Sequence, residues 1–182
     1  LGFAVASAAR TGFAIDLSAY GVTAEAFATV AQRRGSVAFL WYRRVDRAGA
    51  ELLVPAAFMD ELGRVVLGKV LARRREVDAF RGRTVEAGAE AAERAFLGVT
   101  GEEVTARILA AWNLDPALVE LIRASGSEGG RERLPQALRA VRLALPLHGE
   151  SDAEAVERAA AVVREAGLDV VPFREAVAAV TG

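Results

Sequence analysis

An all-α fold is predicted by three features of the chain. Apolar residues recur at three- and four-residue spacing almost throughout, as in Val104, Ile108, Ala111 and Trp112, the period of an amphipathic helix. Strict alternation of apolar and polar residues over a strand's length is hard to find. Residues that start and stop helices punctuate the pattern, from Thr23 and Asp115-Pro116 to Gly167. With 53% hydrophobic residues among 182, the chain can bury a substantial core as one domain or two closely packed lobes.

Thr23 is placed to cap a first helix through Phe27 and Val30 that stops at Arg33-Arg34-Gly35. Ser36 then starts a second, with Val37, Leu40, Trp41, Val45 and Ala48 on one side. Pro55 suits the first turn of a third, with Phe58, Leu62, Val65, Val66 and Val70 inward and the arginines 73–75 at its C-terminus, where positive charge is favoured. A fourth, over 76–96, turns Val77, Phe80, Val85, Ala92 and Phe96 inward, and a fifth runs from about Glu102 to Trp112. Asp115 as N-cap and Pro116 at the first helical position open a sixth with Leu118, Val119 and Ile122. Residues 125–133, SGSEGGRER, read as a loop, after which LPQALRAVRLAL resumes the helical period. Ser151 and Glu154 have capping-box spacing for a helix ending at Gly167, and Pro172 opens a last one with Phe173, Val177 and Val180. Trp41 and Trp112 are read as core aromatics.

Composition removes several functions. There is no cysteine, hence no disulfide, thiolate zinc site or thiol catalysis. A net charge of −1 gives no long-range attraction for nucleic acid or anionic lipid. No apolar run is long enough to span a bilayer and no signal-peptide pattern opens the chain. A cytoplasmic module cut from something longer is expected, without nucleic-acid or membrane partners. GSEGG lacks a Walker lysine and the strand-to-helix context of a dinucleotide loop. The single histidine, His148, lies between a proline and a glycine, with no motif that supplies it an acid or nucleophile.

Three stretches, LWYRRVDRAGAELL, AAFMDELGRVVL and GEEVTARILAAWNLDPALVELIRAS, in this order and spacing, resemble the HDOD domain, the metal-free relative of the HD and HD-GYP phosphohydrolases of bacterial signalling. The resemblance covers most of the chain and implies an irregular multi-helix bundle of the HD-domain, phosphodiesterase-like type. It implies a single domain over 1–182, with an N-terminal helical lobe over 1–50 and a degenerate HD-like core over 51–182.

The resemblance carries the HD metal-site positions onto Arg43 or Arg44 for the first histidine, Met59 and Asp60 for the His-Asp pair, Leu145 for the later aspartate, and Ser125 and Gly126 for a histidine pair, with another near Gly101. A metal needs several imidazoles and carboxylates converging on it. Of these positions only Asp60 keeps a ligand, and it is expected to pair with Arg43 or Arg44 while Glu61 faces outward. No metal, no cofactor and no catalysis are therefore expected. The implied role is a regulatory signal-transduction module that binds a signalling protein or a neighbouring domain of its own full-length chain, and a homodimer is compatible with it. The alternative is a sensor whose former metal pocket, near Arg43, Arg44, Asp60 and Ser125, holds a nucleotide or other anion. A residual phosphohydrolase has the least support.

Overall fold

The computed structural model describes residues 17–126, 132–147 and 152–182. They form a short 3-10 turn, Ser18–Tyr20, and ten α-helices: α1 Ala24–Val45, α2 Arg47–Met59, α3 Leu62–Arg74, α4 Val77–Ala87, α5 Ala89–Leu97, α6 Gly101–Ala111, α7 Pro116–Ser125, α8 Arg133–Ala144, α9 Ala153–Glu165 and α10 Val170–Thr181. Among the described residues the only β feature is one isolated bridge, Leu17 to Val22. The predicted all-α bundle is the observed fold. No helix among the described residues is long and apolar enough to cross a membrane.

Several starts follow local chemistry. Thr23 caps α1 by accepting the Ala26 N–H at 3.1 Å, and Asp115 caps α7 by accepting that of Ala117 at 2.8 Å, with Pro116 at the first helical position. Asp46 ends α1 and starts α2: its own N–H donates to the Tyr42 carbonyl, and its carboxylate accepts the Ala48 N–H. α1 and α2 are thereby folded back on each other.

The expected breaks are in other places. Gly35 does not stop the first helix; α1 runs through it, and a side chain there would collide with the Phe58 ring of α2. Gly35 is a close approach between two helices. Pro55 lies inside α2, and the chain breaks instead at Asp60 and Glu61 before α3 begins. The expected helix over 76–96 is two, parted at Gly88, whose φ of 86° favours glycine. Val85 is accordingly 89% exposed, and Val66 also faces solvent. Asp152 caps α9 by accepting the Ala155 N–H, and Asp169 caps the last helix three residues before Pro172. Ser151, His148, residues 1–16 and the loop segment 127–131 lie outside the described residues.

Two apolar clusters are buried. The larger draws on α1, α2 and α6–α10 around Trp41, which packs edge-on against Phe173 with centroids 4.7 Å apart. Such a ring pair contributes about 0.5–1.5 kcal/mol beyond its area. The smaller gathers Tyr20, Phe27, Leu71, Phe80 and Ala92 from the first turn and α1, α3, α4 and α5. Trp112 belongs to neither: it is 61% exposed at the α6–α7 turn, which corrects its reading as a core aromatic.

Candidate functional site

Charged residues from five helices and the α2–α3 junction meet in the interior. Arg34 of α1, Asp60 and Glu61 of the junction, Arg64 of α3, Glu93 of α5 and Glu102 of α6 are all buried, and Arg142 of α8 is nearly so. Arg142 holds Asp60 with two hydrogen bonds, Nε to Oδ2 at 2.8 Å and an Nη to Oδ1 at 3.0 Å. It also donates to Glu102 Oε1 and to Ser125 Oγ, both at 2.8 Å. Arg64 donates to Glu61, to Glu93 at 2.6 Å and to Glu102 at 3.0 Å. Arg34 donates to Glu61 Oε1 at 2.6 Å and to the Leu145 carbonyl at 2.8 Å, and lies 3.6 Å from Asp60. Tyr20 and the Gly101 N–H complete the shell around Glu93.

A hydroxyl and a glycine set the frame. Thr105 Oγ1 accepts the Gly63 N–H and lies within reach of the Asp60 and Gly101 carbonyls, at 2.8 and 2.9 Å. A side chain at Gly63 would run into the Gly101 carbonyl and the Thr105 backbone. The starts of α3 and α6 therefore touch backbone to backbone, which brings Arg64 within reach of Glu102. The Thr100–Glu103 capping box fixes the first turn of α6, where Glu102 sits.

Three guanidiniums face four carboxylates, so full ionisation leaves one negative charge in excess. Burial pushes the Asp60 carboxyl up, and its neighbours Glu61 and Glu102 oppose the pull of Arg142 and Arg34. Burial also raises Glu93, against the attraction of Arg64. Burial alone would raise Glu61 as well, but Arg64, Arg34 and Arg142 hold it well below the usual carboxylate range. Arg64 and Arg142 likewise hold Glu102 low. Glu102 Oε2 is buried with no hydrogen-bond partner, the one carboxylate oxygen of this cluster left so.

Of the positions read from the sequence, Asp60, Ser125, Gly126 and Leu145 come together here, Leu145 through its carbonyl and Gly126 through its backbone packed on Glu102. Three do not. Met59 points into the larger apolar cluster; the adjacent pair that enters the polar interior is Asp60–Glu61, one residue later. Arg44 pairs with Glu175 at the surface. Arg43 lies over the exposed Phe39 ring, 4.9 Å from its centroid, and lines an outer groove between α1 and α2. The expected Asp60 pairing with Arg43 or Arg44 is thus corrected: its partners are Arg142 and Arg34. Glu61 is buried, not outward. Arg34, Arg64, Glu93, Glu102 and Arg142 were missed, although each stands where the helical period puts inward residues, as Arg64 does ahead of Leu67 and Leu71.

The described residues do not fit a divalent metal. No group of three or more histidine, cysteine, aspartate or glutamate side chains among them could hold one. The carboxylates that come nearest to doing so are spent on guanidiniums, whose positive charge opposes a cation.

Comparison with known proteins accords with this architecture. The HDOD domain family matches residues 2–127, a span that holds Arg34, Asp60, Glu61, Arg64, Glu93, Glu102 and Ser125 and stops short of Arg142. Among curated protein sequences no relative matches. A crystal structure of a virulence factor from Campylobacter jejuni subsp. jejuni is similar in fold, with a TM-score of 0.76 at 24% identity. The alignment covers 93% of this chain and 66% of that one, so the chain spans just under two thirds of the neighbour's length. With more than half its length matched and an all-α fold, the chain belongs to the HDOD domain family.

Proposed function

We propose that this domain is a non-catalytic regulatory module of signal transduction in the bacterial cytoplasm, working through binding to a signalling protein or to a neighbouring domain of its full-length chain. The observation that carries the proposal is the bidentate Arg142–Asp60 pair, with Glu102 on the same guanidinium. Metal-assisted hydrolysis needs open carboxylates and imidazoles around a cation and a water; these carboxylates are internal counterions to arginine. A fold that keeps its shape without the chemistry keeps its surfaces for recognition.

The anion-sensor alternative has weaker support. It needs free guanidiniums in the former metal pocket, whereas Arg34, Arg64 and Arg142 are each engaged with carboxylates and Arg43 and Arg44 lie elsewhere. It predicts a rise in Tm with a nucleotide.

The test has two arms. The immobilised 182-residue chain is incubated with lysate of its own organism and bound proteins are read by mass spectrometry; enrichment of a kinase, cyclase or response regulator is expected, and a lane no different from bare resin would sink binding to a separate signalling protein and leave the neighbouring domain of its own chain as the partner. In parallel, bis(p-nitrophenyl) phosphate is offered with Mn, Fe, Mg or Zn. Turnover abolished by a chelator would overturn the non-catalytic reading.

A further inference from the structure

We propose that the groove on the outer face of the α1–α2 hairpin docks an acidic amphipathic helix of a partner protein. This rests on the protein-binding reading above and gives that binding a surface and a partner chemistry.

The groove has a volume of about 740 Å³. Phe39 and Arg43 of α1 form one wall, and Arg47, Ala50, Val54 and Pro55 of α2 form the other. These positions recur at three and four residues along two helices packed side by side, so they are the ridges between which a third helix lies. The apolar part is open to solvent: Phe39 is 47% exposed, and Val54 and Pro55 are partly so.

Charge selects the occupant. Arg43 and Arg47 stand together at the α1–α2 turn, both exposed, and neither makes an ion pair with a described residue, so their charge is open to a partner. Arg43 covers a Phe39 face, which holds its guanidinium over the groove while its N–H groups stay free for a carboxylate. Glu51 is the single acid of the lining, so the groove as a whole favours a negative guest in a chain whose net charge is −1.

The backbone adds a third feature. Pro55 sits inside α2 and has no N–H, so the Glu51 carbonyl loses its usual helical donor on the face that lines the groove. A partner side chain with an O–H or N–H fits it. A free anion could meet the arginines but would leave Phe39, Val54 and Pro55 in water; an amphipathic helix covers both parts.

The test pans a display library of random peptides of about 15 residues against the 182-residue chain and against Arg43→Glu/Arg47→Glu. Both positions are exposed, and an unchanged melting curve establishes that the variant is folded. The expected winners carry aliphatic or aromatic residues at i, i+3 or i+4 with Asp or Glu beside them. They are expected to lose affinity by about tenfold or more on the charge-reversed variant, and by a similar factor on Val54→Glu, and to weaken with added salt. Winners that are basic, or that bind the variants as tightly as the parent, overturn the inference, as does a library from which nothing is enriched. A lysate partner captured equally by parent and by Arg43→Glu/Arg47→Glu would leave the protein-binding reading standing and remove only the groove.

Discussion

At the scale of single residues, Glu61 shows how an acid is kept inside a protein. It is 4% exposed and held by two guanidiniums, those of Arg34 and Arg64. Its folded pKa lies below that of the unfolded chain, so its contribution to stability is complete above the ordinary carboxylate range and is lost as pH falls toward the folded value. Asp60 and Glu93, raised by burial, act in the opposite sense: their contribution is present at low pH and disappears as pH rises through their folded pKa. Glu61→Gln removes only the first kind. At neutral pH it is expected to cost about 3–5 kcal/mol, because two guanidiniums lose a counterion. Urea unfolding from pH 7 to pH 3 should show a gap between parent and variant that narrows as the acid limb is entered; a gap that widens there would contradict the assignment. Glycines make a second residue-scale prediction. Ala at Gly63 meets backbone at Gly101, whereas Ala at Gly35 meets the movable Phe58 ring. Gly63→Ala should therefore sit at the upper end of the about 1–3 kcal/mol typical of overpacking and Gly35→Ala lower, measured by the same urea unfolding.

At the scale of elements, the caps at Thr23 and Asp115 were legible in the sequence, whereas those at Asp152 and Asp169 and most breaks were not. Thr23, Asp115 and Pro116 act through neighbours two or three residues away, so the local pattern carries their role. Gly35 and Gly88 look alike in sequence, yet one lies inside α1 under Phe58 and the other parts α4 from α5 at positive φ. What distinguishes them is a contact from another helix, which no local window contains. The polar interior was missed for the same reason: Arg142 and Asp60 are 82 positions apart and Arg64 and Glu102 38. A basic residue on an inward helical face was the available signal, and the expected pairing of an inward Asp60 with Arg43 or Arg44 obscured it. The Thr100 capping box gives an element-scale prediction. Its hydroxyl accepts the Glu103 N–H, and the Glu103 carboxylate accepts the Thr100 N–H. Thr100→Ala should cost about 1 kcal/mol, and because Glu102 is in that first turn, hydrogen exchange should rise at the start of α6 before it rises in α7 or α8. Uniform protection across the three helices in the variant would argue against it.

At the scale of the whole molecule, the charged interior ties together elements of both apolar clusters. α3 and α5 belong with the smaller cluster, α2, α7 and α8 with the larger, and Arg34, Arg64, Glu102 and Arg142 link them. A metal in such a place would join the same elements by coordination; here guanidiniums join them, and the linkage is part of the folded chain. Two consequences separate these designs. Mn or a chelator at millimolar concentration should leave the Tm unchanged, since a ligand stabilises only what it binds; a metal-dependent rise would show that donors outside the described residues complete a site. Arg142→Ala should cost about 3–5 kcal/mol, because Asp60 loses its bidentate partner while Glu102, already with one unpartnered oxygen, loses another donor. Adding Asp60→Ala to that variant should cost less than Asp60→Ala does alone, since the stranded charge is removed with its residue. A double-mutant cycle by urea unfolding reads the difference. Additive losses would mean that Arg142 and Asp60 do not act as a pair, which would leave Arg34 and Arg64 as the charged links between the two clusters.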